Sequence, residues 1–85
     1  MRVEYKKCFQ KKFKKLPTQL REQFYRRLEM FIEDKFDKTL NNHSVDKAFP
    51  DCISMNVTGD YRAIFKEEDN VVTFITIDTH SELYG

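Results

Sequence analysis

The chain has 85 residues, enough for one domain, residues 1–85, with a small core. No apolar run approaches the roughly 18 residues that span a bilayer, so the composition excludes a membrane-spanning helix. The net charge of +1 hides an asymmetry: residues 1–27 carry ten Lys/Arg against two acids, and residues 28–85 carry five against twelve. A positive half suits a polyanion such as RNA, and it equally suits lysines on solvated helix faces.

The basic start, Met1 to Cys8, runs on into more lysines and does not read as a signal peptide, so the chain is expected in the cytoplasm. Arg2-Val3-Glu4-Tyr5 alternates polar and apolar, as a short edge strand does. From about Lys7 the period changes. Phe9, Phe13 and Leu16 fall on one helix face, with Lys11, Lys12, Lys14 and Lys15 off it. Pro17 ends this helix or opens the next. A second stripe, Leu20, Phe24, Leu28 and Phe31 with Ile32 beside it, predicts a helix to about Asp34–Phe36. So short a connection makes the two an antiparallel hairpin.

Residues 37–51 show neither period and predict a long functional loop. Ile53, Met55 and Val57 then alternate with Cys52, Ser54 and Asn56 along a strand, and Thr58-Gly59-Asp60 is a turn in which Gly59 is free to take positive φ. Strands at 61–66 and 71–77, joined by the polar turn 67–70, complete a three-stranded antiparallel meander. Tyr61, Ala63 and Phe65 are expected to face the helices, with Arg62, Ile64 and Lys66 outward. On the last strand the alternation fits either parity; Ile75 and Ile77 inward would leave Phe74 and Thr76 outward. The order is β-α-α-β-β-β, an α+β domain of two layers with one sheet face open. Cys8 and Cys52 stand 44 positions apart, which excludes a CxxC pair or zinc knuckle and predicts two ordinary thiols.

Three stretches point further: Leu40-x-x-His43, Gly59-Asp60-Tyr61-Arg62-Ala63-Ile64-Phe65, and Ile77-x-Thr79-His80-x-x-Leu83-Tyr84. Together they resemble the RelE/ParE superfamily of bacterial and archaeal toxins, nearest its YafQ-like branch, over almost the whole chain. The resemblance implies the toxin of a type II toxin–antitoxin system. It implies a ribosome-dependent endoribonuclease, without metal or cofactor, that cuts mRNA by attack of a ribose 2′-hydroxyl on the adjacent phosphate. The implied partners are a cognate antitoxin, mRNA and the ribosome, with no membrane and no small molecule.

Such a reaction needs a base, an acid and a cation for the phosphorane. By the resemblance His80 is the acid or base, Arg62 grips the phosphate, Tyr84 stacks on a base or assists proton transfer, and His43 is the loop histidine of the YafQ-like branch. Lys47 is a nearby phosphate contact, and Asn56, Lys11 and Lys15 are expected to touch RNA. Arg62 has a second possible role, an ion pair with Asp60 or Glu82. Three positions depart from the YafQ-like pattern: Asn56 and Thr76 replace a histidine and an arginine, and Asp78 replaces the usual glycine. A carboxylate beside His80 favours the imidazolium and discourages RNA. The alternative is therefore a non-catalytic toxin fold acting by protein binding, as a gyrase poison or a degenerate toxin, with exposed Ile64 and Phe74 receiving the partner.

Overall fold

The computed structural model describes residues 1–84. In chain order the elements are β1 (Arg2–Tyr5), α1 (Lys7–Lys14), α2 (Thr18–Glu33), β2 (His43–Ser44), β3 (Ile53–Asn56), β4 (Tyr61–Glu68), β5 (Val71–Thr79) and α3 (His80–Tyr84). The meander is present, inside a larger sheet of order β1-β5-β4-β3-β2. β1 joins β5 in parallel, with Val3 beside Val72 and Tyr5 beside Phe74. That pairing requires a crossover, which the two helices supply. The two-residue β2 lies within the stretch expected to be loop, and it pairs antiparallel with β3.

Pro17 opens the second helix, its carbonyl accepting from the amides of Leu20 and Arg21. The two helices meet through rings: Phe9 and Phe13 of α1 stand 5.2 and 5.3 Å from Phe24 of α2. Their apolar stripes pack on one sheet face, where Phe9, Phe24, Leu28 and Phe31 join Met55, Val57, Ala63, Phe65, Val72 and Ile77 in the main core. Ile32 lies off the stripe and is exposed.

The hairpin between β4 and β5 is tighter than the composition of residues 67–70 suggested. Glu68 pairs with Val71, so only Asp69 and Asn70 form the loop, at φ 52° and 63°. Two successive positive φ angles make the turn whose twist matches its strands. Gly59, by contrast, stays outside the left-handed region, and its conformational freedom goes unused.

Two expectations about facing are corrected. Phe74 lies in the main core at 0% exposure, and Ile75 lies on the opposite face. The cause is an irregularity in the β4–β5 ladder. Phe65 pairs with Phe74 but Ile64 pairs with Thr76, so Ile75 is the extra residue and the alternation flips across it. Phe74 and Ile77 can therefore both point inward. Ile64 does face away from the helices, but it too is 0% exposed. That face is not open over Ile64. Val45, Phe49 and Cys52 fold back over it from one side, and Leu83 and Tyr84 of α3 from the other, making a second small core. The fold-back is held by Val45 N–H to the Cys52 carbonyl (3.1 Å) and Asp51 N–H to the Asp46 carboxylate (3.0 Å). Neither Ile64 nor Phe74 is available to a partner.

Candidate functional site

The outer face of the sheet carries two cross-strand rows beside each other. Ser54, Ile64 and Thr76 form one; Asn56, Arg62 and Asp78 form the next, toward the end of the strands. Arg62, Asn56 and Asp78 are each half-buried, so the second row marks the edge where the second core gives way to solvent.

The turn before β4 holds Arg62. Its Nη1 donates to the carbonyls of Thr58 (3.0 Å) and Gly59 (2.9 Å), with Tyr61 at 3.4 Å. Among the described residues it makes no ion pair, so the expected alternative contacts with Asp60 or Glu82 are not formed. A guanidinium anchored by one nitrogen keeps the rest of its planar fork for two oxygens of an anion such as phosphate.

The chain leaves β5 directly into α3, where a loop was expected. The Thr79 hydroxyl accepts from the Glu82 amide at 3.2 Å and starts the helix. His80 donates its backbone N–H to the Asp60 carbonyl at 2.9 Å, two residues before Arg62. One turn of α3 brings the His80 and Tyr84 rings together, centroids 4.8 Å apart, with His80 exposed and Tyr84 half-buried. Tyr84 also walls a hollow of about 370 Å³ with Ser44, Val45, Asp46, Lys47 and Ala48. The structure thus brings Arg62, His80, Tyr84, Asn56 and Lys47 to one side of the molecule.

His43 sits elsewhere. It is exposed on β2 with Nδ1 2.8 Å from the Asn41 carbonyl, and it lines a separate hollow of about 300 Å³ with Phe31, Lys35, Phe36 and Phe65. Ser44 borders both hollows. Lys11 lies on the exposed side of α1, flanking a shallow hollow with Lys7, Gln10 and Lys14; Lys15 caps the end of that helix.

Some contacts had no signal in the sequence. The Asn56 Oδ1 and Tyr84 hydroxyl are buried with no hydrogen-bond partner among the described residues, which leaves an acceptor and a hydroxyl unsatisfied beside Arg62 and His80. Asp78 does not rest on the imidazole. Its Oδ2 pairs with Lys12 Nζ at 3.0 Å, and its Oδ1 accepts the Thr79 amide at 2.8 Å. Thr76 is buried, 3.7 Å from the Cys8 thiol, and shows nothing to a ligand. Burial pushes the Cys52 thiol above its ordinary pKa, with Asp51 and Asp46 adding and Lys66 opposing, so it makes a poor nucleophile. Among the described residues no cluster of three metal-binding side chains occurs, and no helix is long and apolar enough to cross a membrane.

Comparison with known proteins agrees on fold and family. A family model described as "ParE toxin of type II toxin-antitoxin system, parDE" matches residues 3–84. The crystal structure of Escherichia coli YafQ superposes with a TM-score of 0.79 at 21% identity, covering 100% of both chains. A chain of the E. coli DinJ–YafQ complex gives 0.77 at 20% identity, again over 100% of both. One from the RelB–RelE antitoxin–toxin complex of Methanococcus jannaschii gives 0.74 at 17%, covering 96% of this chain and 95% of that one. At these identities the likeness is one of fold. No curated protein matches the chain by sequence.

Proposed function

Because this chain belongs to the ParE toxin family of type II toxin–antitoxin systems, within the RelE/ParE superfamily, we propose that it is a ribosome-dependent endoribonuclease held silent by a cognate antitoxin. The observation that carries this reading is the pairing of the His80 and Tyr84 rings where β5 passes into α3, with Arg62 on the neighbouring strand opposite Asp78. There an exposed imidazole stands against a tyrosine ring at 4.8 Å, beside a strand arginine pinned by its own turn. Solved complexes of YafQ with DinJ and of RelE with RelB motivate the antitoxin partner.

In the proposed reaction the 2′-oxygen of one ribose forms a bond to the adjacent phosphorus, and the bond from phosphorus to the 5′-oxygen breaks. The products are a cyclic phosphate and a free 5′-hydroxyl. One proton leaves the 2′-hydroxyl and one reaches the 5′-oxygen. His80 is the side chain fitted for proton transfer, because imidazole exchanges protons near neutral pH. The unanchored side of the Arg62 fork stabilises the phosphorane. Tyr84 offers a ring to a base, and the half-buried Asn56, next to Arg62 in the row, borders the RNA. Lys47 and the α1 lysines Lys11 and Lys15 meet flanking phosphates or ribosomal RNA. His43, on its separate hollow, contacts RNA away from the scissile bond.

Expression of the chain alone should arrest growth and produce mapped cuts in mRNA, and His80→Ala should abolish both without loss of fold by circular dichroism. Undisturbed growth with soluble, folded wild-type protein overturns the enzyme reading. One observation favours a second reading, a toxin fold acting by binding alone. Asn56 cannot transfer a proton, Thr76 is buried, and the Asp78 carboxylate is engaged by Lys12 and the Thr79 amide, so neither row offers a second base free to act. Tight antitoxin binding without mRNA cleavage, or DNA breaks at gyrase, would establish it.

A further inference from the structure

Asp78 places a carboxylate in the Asn56–Arg62–Asp78 row, where the proposed phosphate must approach. An acid there works against an anionic ligand. The chain answers it from 66 residues away. Lys12 Nζ lies 3.0 Å from Asp78 Oδ2, with the Asp78 side chain 25% exposed and that of Lys12 42%. The contact is built rather than incidental. α1 runs beside β5, and one helical turn before Lys12 the Cys8 thiol meets the Thr76 hydroxyl at 3.7 Å. Cys8 and Lys12 on the helix thus match Thr76 and Asp78 on the strand. The other carboxylate oxygen accepts the Thr79 amide, and Thr79 in turn caps α3, the helix that starts with His80.

We propose that Lys12 is a positioning residue that cancels the Asp78 carboxylate, so that the Arg62 row presents net positive charge to RNA phosphate. Asp78 can then hold the Thr79 amide, and through it the start of α3, without repelling the substrate. Lys12 is distinct in this from Lys11 and Lys15, whose ammonium groups face solvent and remain free to meet phosphates. The inference rests on the proposed approach of phosphate to Arg62, and it does not require that cleavage follow.

The test is binding of a 2′-deoxy-substituted, uncleavable oligonucleotide at low salt by wild type, Lys12→Met, Asp78→Asn and the double variant. Asn keeps the acceptor for the Thr79 amide and removes only the charge. Lys12→Met should bind about three- to tenfold more weakly, as expected for one half-buried, partly screened carboxylate beside the ligand. Asp78→Asn should bind at least as tightly as wild type. The double variant should return to the wild-type level, because it restores the charge of the row. A double variant as weak as Lys12→Met overturns the proposal, since Lys12 would then touch phosphate itself. Equal weakening in all three variants also overturns it, since the pair would then only prop α1 against β5. Absence of wild-type binding removes the phosphate path and the proposal with it. Cleavage of mRNA on ribosomes, measured separately on wild type, judges the endoribonuclease reading: binding with the predicted pattern but no cleavage upholds this inference and fails that reading.

Discussion

Replacing Phe74 by alanine tests the most consequential feature of the packing. The ring is 0% exposed and lies 5.1 Å from Phe24, 5.5 Å from Phe65, 5.6 Å from Phe9 and 5.9 Å from Tyr5. It therefore joins β1, α1, α2 and β4 at one point. Removing a buried phenylalanine costs about 3–5 kcal/mol, and the four lost ring contacts place Phe74→Ala near the upper end. A domain of this size has roughly 4–13 kcal/mol in total, so the variant should be marginal or unfolded at 25 °C. Urea denaturation followed by far-UV circular dichroism measures the loss, with Phe36→Ala as control. Phe36 is 83% exposed and should change stability by less than about 0.5 kcal/mol. A Phe74→Ala loss below about 1.5 kcal/mol would refute the bulge at Ile75 and return Phe74 to the outer face.

Three further outcomes follow from the same geometry. Arg62→Lys keeps the charge and loses the fork that reaches both the Thr58–Gly59 carbonyls and a phosphate, so mRNA cleavage should fall about tenfold or more with the fold intact, as read by primer extension. Burial holds the Cys52 thiol above its ordinary 9.0 and, with Tyr25, the Tyr5 phenol above its ordinary 10.0, so each group favours the folded state only while neutral. That stability is complete below the unfolded values and is lost as pH rises from them through the higher folded ones. Urea midpoints should therefore fall between about pH 8 and about pH 11, and Tyr5→Phe should flatten the upper part of the decline. At the β4–β5 hairpin, Asn70 sits at φ 63°, so Asn70→Ala should lose about 1 kcal/mol in thermal or urea melts while Asn70→Gly loses little or none.

Much of the site was legible locally. Arg62 follows a turn written in Thr58-Gly59-Asp60, and His80 and Tyr84 were expected just past the last strand, although the helix that brings their rings together was not. The fate of His43 was not legible. Its position depends on β2 pairing with β3, Ser54 beside His43, a contact the intervening loop does not encode. The Lys12–Asp78 pair was invisible for the same reason, because nothing in either neighbourhood names its partner.

The sequence alone determined the types and order of the main elements, though not the short β2 or α3. Stripes at helical spacing, alternation along strands and polar turns are local properties, and they were enough for an α+β domain with a helical hairpin, a meander and a RelE/ParE resemblance. Only the tertiary structure decided which way the last strand faces. One extra residue at Ile75 reverses every side chain beyond it, and alternation read from Phe74, Ile75 and Ile77 fits either choice. The tertiary structure also decided that the sheet's second face is partly closed, because covering Ile64 takes Val45, Phe49, Leu83 and Tyr84 from two distant segments. What remains uncovered is the row of Asn56, Arg62 and Asp78, and its charge is set by a lysine from the other end of the chain.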